Sequence, residues 1–178
     1  MTTATVSVGA RLHVGFQNLS LARERLYGGI GVALEEPRVT VTAEPATDIR
    51  TDDELVGRYA RRAVDVLSVP GVAVTLEESL PRHVGLGSGT QLALAVLTAT
   101  AQAHGLEARV REHAPAMGRG GRSGVGVATF EDGGFVVDAG HPTARFTTEP
   151  PVEGDWTVPP VVARHDLPTE WRFLVVVP

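Results

Sequence analysis

Residues 81–91, Pro81-Arg82-His83-Val84-Gly85-Leu86-Gly87-Ser88-Gly89-Thr90-Gln91, run without a break into an alanine- and leucine-rich stretch ending at His104-Gly105. Three glycines at alternate positions permit positive φ and let the backbone approach a ligand closely. The helix that follows would present unpaired N–H groups and the positive end of its dipole at the same place. That combination makes a cradle for an anion, to which Gly85, Leu86, Gly87, Ser88 and Gly89 contribute. Ser88 adds a hydroxyl able to take a phosphate oxygen or a phosphate-bound Mg²⁺. The stretch beyond is apolar on nearly every face, so a buried helix closed by Gly105 is expected. The competing reading is that the three glycines serve only a tight strand-to-helix turn.

Working towards the N-terminus, residues 72–76 alternate apolar and polar side chains as a strand does. Before them, Leu55, Tyr59, Ala63, Val66 and Leu67 recur at helical spacing, with Thr51-Asp52-Asp53-Glu54 as a capping box in which Thr51 is the cap. Residues 3–9, 12–16, 30–34 and 39–43 read as strands, with Glu35-Glu36-Pro37 as a connection and residues 17–29 as a polar loop carrying Arg23, Glu24 and Arg25. Towards the C-terminus, a helix over 109–117 precedes a second glycine-rich stretch, Gly118 to Gly126. Residues 127–130 and 135–138 read as a hairpin around Asp132-Gly133-Gly134. Residues 142–169 are proline-rich and irregular, and 171–177 read as a new buried strand. Strands outnumber helices without strict alternation, which is the α+β class.

Composition narrows the function classes. A chain of 178 residues with 43% hydrophobic and 21% charged residues suits a soluble globular domain with a sizeable core. No apolar run approaches the ~20 residues of a membrane span, and the first residues lack a secretory pattern, so no membrane partner and a cytoplasmic location are expected. There is no cysteine, which removes disulfides and thiolate chemistry. A net charge of −5 argues against nucleic-acid binding. All 16 basic residues are arginine; without lysine there is no Walker A loop and no Schiff base. His83, His104, His113 and His165 show no metal-ligand spacing.

Pro81-x-x-x-Gly85-Leu86-Gly87-Ser88 resembles the second motif of the GHMP superfamily of galactokinase, homoserine kinase, mevalonate kinase and phosphomevalonate kinase. The run Gly9-Ala10-Arg11-Leu12-His13-Val14-Gly15-Phe16 resembles its first motif, followed in order by Tyr27-Gly28-Gly29-Ile30-Gly31-Val32-Ala33-Leu34. The resemblance implies an N-terminal domain like the second domain of ribosomal protein S5, covering residues 1–170. Residues 171–178 would then begin a C-terminal domain otherwise absent, so the chain is expected to be part of a longer protein. Kinases of the superfamily carry an acid where Gly126 stands here and a glutamate near Pro115, so kinase chemistry is disfavoured.

With Arg119-Gly120-Gly121-Arg122-Ser123-Gly124-Val125-Gly126 and Gly133-Gly134-Phe135-Val136-Val137-Asp138, the pattern is similar to the β-ribofuranosylaminobenzene 5'-phosphate synthases of archaeal methanopterin biosynthesis. That resemblance implies condensation of phosphoribosyl pyrophosphate with 4-aminobenzoate or 4-hydroxybenzoate, with loss of pyrophosphate and CO₂. Mg²⁺ is the implied cofactor, and the partners are a phosphorylated small molecule and an aromatic acid. Three anionic groups need cations, and Arg11, Arg25, Arg119 and Arg122 are the candidates, with Ser123 beside them. Asp138 and His13 are the catalytic candidates, although Asp138 could fix a turn and His13 could be a hydrogen-bonded structural residue. An ATP-dependent small-molecule kinase, a non-catalytic phosphate-ligand module and a homodimer stay open as alternatives.

Overall fold

Two long antiparallel strands, β1 (Ala4–Asn18) and β2 (Arg25–Pro45), form the spine of the fold in a computed structural model that describes residues 2–146 and 154–176. They pair from Ala4 opposite Ala43 to Asn18 opposite Tyr27. The expected loop over 17–29 is therefore much shorter. Glu35-Glu36-Pro37 is an outward bulge in one continuous strand, because Gly9 pairs with Arg38 while Arg11 pairs with Ala33. A bulge of this kind keeps the ladder going while adding residues to one strand only. A second register shift falls between His13 and Gly15.

The remaining strands join β2. Its C-terminal half takes β4 (Val72–Glu78), which also carries the short parallel β3 (Ile49–Arg50). Its N-terminal half takes β5 (Phe135–Asp138) and β6 (His141–Pro142), and β7 (Val161–His165) pairs with β5. The strand order is β3-β4-β2-β5-β7, with β1 on β2.

Helices cover one face. In α1 (Glu54–Leu67) the cap is Asp53, not Thr51: its carboxylate accepts from the N–H groups of Leu55 and Val56 at 2.8 and 2.9 Å. One carboxylate satisfying two orphan donors outcompetes the hydroxyl two residues upstream. Helix α2 (Ser88–Ala103) is buried on nearly every side, as its composition required; Leu94, Leu97, Val96 and Ala93 are wholly inaccessible. It packs on β1, β2 and α1. Gly105, φ +70°, follows its end.

Three local expectations are corrected. The helix expected over 109–117 is regular only in α3 (Val110–His113), because Pro115 has no N–H for a longer ladder. Residues 127–130 belong to a helix, α4 (Val125–Asp132), so the hairpin does not exist. A short apolar run reads equally as strand or buried helix, and here Gly29 and Gly31 on β2 leave the hollow that receives α4. The described part of 171–177 is not a strand, and Leu174 and Val176 are exposed. Conversely, β7 lies inside the segment read as irregular.

Candidate functional site

The glycine loop sits at the mouth of a cavity of about 690 Å³ between α1, the end of β4 and the start of α2. Gly87 caps α2 at φ +74°, and its carbonyl accepts from Thr90 and Gln91 at 3.0 and 3.1 Å. The N–H groups of Ser88 and Gly89, at the first turn, have no backbone acceptor among the described residues. Gly85, at φ +85°, leaves open space where a side chain would project.

Two arginines flank this turn. Arg11 crosses beneath it: the backbone N–H donates to Leu86 at 3.0 Å, and Nη1 donates to the Gly85 carbonyl at 3.1 Å. It lies so close that a Cβ on Gly87 would come 2.8 Å from its Cγ. Arg119 approaches from the opposite side, 3.6 Å from the position of a Cβ on Gly89. Its Nη2 donates to the Tyr59 hydroxyl and its guanidinium carbon lies 5.2 Å from the Tyr59 ring centre. In both arginines Nε is buried and has no hydrogen-bond partner among the described residues. Burial lowers the pKa of Arg11 from the ordinary arginine value. Two half-buried arginines, each with one buried and unused donor beside a helix N-terminus, form a site short of an anion.

A second cluster is centred on Asp138, which is fully buried. One carboxylate oxygen accepts from Ser123 Oγ at 2.7 Å and from the Gly124 N–H at 2.8 Å; the other accepts from the Gly140 N–H at 2.7 Å. Arg25 Nε and Nη2 donate to the carbonyls of Ala139 and Gly140 at 2.7 and 2.6 Å. Gly29 makes room, since a Cβ there would lie 2.2 Å from Ser123 Oγ. The carboxylate thus holds the start of α4 against the end of β5.

His13 stands between the clusters, one strand position pair beyond Arg11. Its Nε2 is buried without a partner among the described residues, and its ring lies 4.7 Å from that of Phe16. Burial, then the Arg11 charge, lower its pKa, against a smaller opposing pull from Asp138. His141, whose Nε2 faces the Gly120 carbonyl, is also lowered, chiefly by burial. Both therefore favour the neutral form in the fold, and the unfolded chain binds more protons. The stability they lend is present above the ordinary histidine range of about 6.5 and is lost as pH falls through their lowered values. Thermal midpoints should drop between pH 7 and pH 5, and the drop should shrink in His13→Gln.

Of the expected site residues, the fold brings Arg11, Gly85 to Gly89 and Arg119 together. It gathers Ser123, Asp138 and Arg25 in the neighbouring cluster. Arg122 joins neither: it is exposed and makes no ion pair among the described residues. The sequence reading missed Tyr59, Arg58, Arg82 and Asp53, which also line the cavity. Tyr59 was legible only as a core position, although a buried tyrosine hydroxyl calls for a partner. Arg119→Lys should cost about 1.5–3 kcal/mol in the affinity for inorganic pyrophosphate, since an ammonium cannot both stack on Tyr59 and reach the loop. Arg122→Lys should stay within about 0.5 kcal/mol. Calorimetric titration of the two variants distinguishes them.

The family profile described as GHMP kinases N terminal domain matches residues 54–134. The β-ribofuranosylphenol 5'-phosphate synthase of Methanothermobacter thermautotrophicus is 39% identical, over 97% of this chain and 57% of its own length. The enzyme of the same name from Archaeoglobus fulgidus is 36% identical over 95% of this chain and 55% of its own. This chain therefore spans a little over half the length of these relatives. Among solved structures, Methanococcus jannaschii mevalonate kinase aligns with a TM-score of 0.57 at 12% identity, over 76% of this chain and 53% of that one. L. major mevalonate kinase, in complex with R-mevalonate, gives 0.52 at 14%, over 79% and 51%. The α+β architecture and the glycine loop opening α2 agree with these likenesses: residues 54–134 match the GHMP kinases N terminal domain, and the chain is similar to the β-ribofuranosylphenol 5'-phosphate synthases over nearly all of its length.

Proposed function

We propose that the chain supplies the phosphate-binding part of an enzyme of the β-ribofuranosylphenol 5'-phosphate synthase type, acting in methanopterin biosynthesis. It would condense phosphoribosyl pyrophosphate with 4-hydroxybenzoate or 4-aminobenzoate. In that reaction the bond from ribose C1 to pyrophosphate breaks, and its electron pair leaves with pyrophosphate. The ring carbon bearing the carboxylate bonds to C1, and the electrons of the carbon–carboxylate bond restore the ring as CO₂ departs. The observation that carries the reading is the pair of unpartnered, buried Nε atoms of Arg11 and Arg119 on either side of the α2 N-terminus. Donors fixed before the substrate arrives stabilise charge that grows on the leaving pyrophosphate.

The residues fit a metal carried in on the substrate and do not fit a resident one. No group of three or more acidic or histidine side chains among the described residues could cage an ion, and Mg²⁺ commonly binds through substrate phosphates with few protein ligands. Ser88 is the side chain that would hold it, and bound there it would neutralise part of the pyrophosphate charge.

Two readings compete. A kinase is disfavoured locally: a Cβ on Gly126 would lie 3.0 Å from Thr90 Cγ2 and 3.6 Å from Arg11 Nε, so an acid there would crowd the loop and take Arg11 for itself. A binding module without turnover would share the same cradle. Incubation with phosphoribosyl pyrophosphate, Mg²⁺ and carboxyl-labelled 4-hydroxybenzoate should release pyrophosphate and labelled CO₂ in equal amounts, and ATP with candidate alcohols should give no substrate-dependent ADP. Tight binding without CO₂ would favour the module; ADP tied to one alcohol would favour the kinase.

A further inference from the structure

Beside the anion cradle lies an aromatic ladder that the phosphate chemistry does not use. The rings of His13 and Phe16 are 4.7 Å apart, and those of Phe16 and Tyr27 are 5.3 Å apart, all tilted. Regular alternation would put residues 13 and 16 on opposite faces of β1. The register shift between His13 and Gly15 inserts one residue, Val14, which turns out to solvent at 69% exposure. Phe16 then pairs with Gly29 and His13 with Gly31, two positions of β2 that share a face. The bulge therefore re-aims Phe16 to the side on which Arg11, His13 and the helices lie.

Three features mark the ladder as built for a ligand. Tyr27 holds φ +74°, a conformation unfavourable for a bulky residue, and its ring lies 5.3 Å from that of Phe16. Phe16 remains 44% exposed, so its ring is open to a ligand on the face it shares with His13. At the inner end, the buried Nε2 of His13 has no partner among the described residues and points to a missing polar group. Arg11, two residues away on the same face, supplies the neighbouring positive charge.

We propose that Phe16 and Tyr27 seat the ring of the aromatic acid, with its carboxylate directed to His13 Nε2 and the Arg11 side. This rests on the condensation proposed above and names the place of its second substrate. Such a pose sets the carboxylate-bearing carbon next to the cradle, where ribose C1 must lie, and leaves the para substituent towards Tyr27. Phe16, Tyr27 and His13 then decide acceptor specificity, while Arg11 joins the two subsites.

The test uses the 178-residue chain and two titrations, one with phosphoribosyl pyrophosphate and Mg²⁺ by calorimetry, one with 4-hydroxybenzoate by ligand-observed NMR. Phe16→Leu keeps an apolar residue but loses the aromatic face, and should weaken 4-hydroxybenzoate by roughly five- to tenfold. His13→Gln should erase the preference for 4-hydroxybenzoate over phenol. In both variants the affinity for phosphoribosyl pyrophosphate should stay within about twofold, since neither side chain touches the glycine loop. Unchanged 4-hydroxybenzoate affinity in both variants, or no binding by the parent chain, overturns the seat. Ring binding that is lost with Phe16 in a chain that ignores phosphoribosyl pyrophosphate keeps the seat and overturns the condensation.

Discussion

Gly87→Val is expected to abolish phosphoribosyl pyrophosphate binding, by roughly a thousandfold or about 4 kcal/mol, while the domain stays folded. At φ +74° a β-branched residue is strained by about 1–3 kcal/mol. The new Cβ would also lie 2.8 Å from Arg11 Cγ and 3.0 Å from its Nε. Relief requires the loop to move, Arg11 to leave, or both. Either movement removes the backbone donors of Ser88 and Gly89 or the buried guanidinium. Gly85→Ala is the control: φ is also positive, but nothing lies within 4 Å of its Cβ. Only the backbone cost of about 1 kcal/mol applies there, so affinity should fall by less than tenfold. Calorimetry gives the affinities, and near-UV circular dichroism with a thermal scan reports the fold. Equal affinity in Gly87→Val and the parent would remove the glycine loop from the site.

Asp138→Ala is expected to cost about 3–5 kcal/mol of stability, because three donors lose a charged acceptor in a buried setting. The hydroxyl of Ser123 and the N–H groups of Gly124 and Gly140 would face an apolar gap. Gly29 and Gly28 pack against the same carboxylate and carbonyl, so water has little room to substitute. Asp138→Asn should also destabilise, since its amide would point a donor at one of these donors. Urea unfolding measures both. The folded fraction of each variant should still bind phosphoribosyl pyrophosphate, because the cradle is on the other side of Arg11. If Asp138→Asn instead keeps full stability and loses turnover by orders of magnitude, the carboxylate is catalytic.

Legibility followed the range of the forces involved. The glycine loop, α2 and the α1 pattern were readable because turn chemistry, all-round burial and 3.6-residue periodicity are local. The cap moved from Thr51 to Asp53 because two acceptors competed within one turn, and composition does not rank them. Residues 127–130 resisted reading for a different reason. Their helical state depends on Gly29 and Gly31, about a hundred residues earlier in the chain, whose missing side chains make the hollow for Val125. Arg119 and Arg122 looked equivalent in sequence, and only the placement of Tyr59 on α1 separates them. The aromatic ladder was invisible for the same reason: one inserted residue at Val14 reverses the facing of Phe16, and strand alternation read from sequence assumes no such insertion.

The all-round burial of α2 makes it a reporter of binding. Its central amides are shielded by α1, β1 and β2, so hydrogen–deuterium exchange there should require opening of the whole domain. The anion cradle is the first turn of that same helix. Any ligand held there stabilises the only state in which those amides are protected, and exchange slows by the factor by which the ligand shifts the folding equilibrium. At a hundred times its Kd, a phosphate ligand should slow exchange from Leu94 to Ala99 about a hundredfold. Mass spectrometry of the peptides spanning α2 would therefore rank candidate phosphate ligands by affinity with no turnover, no labelled substrate and no second substrate in the tube.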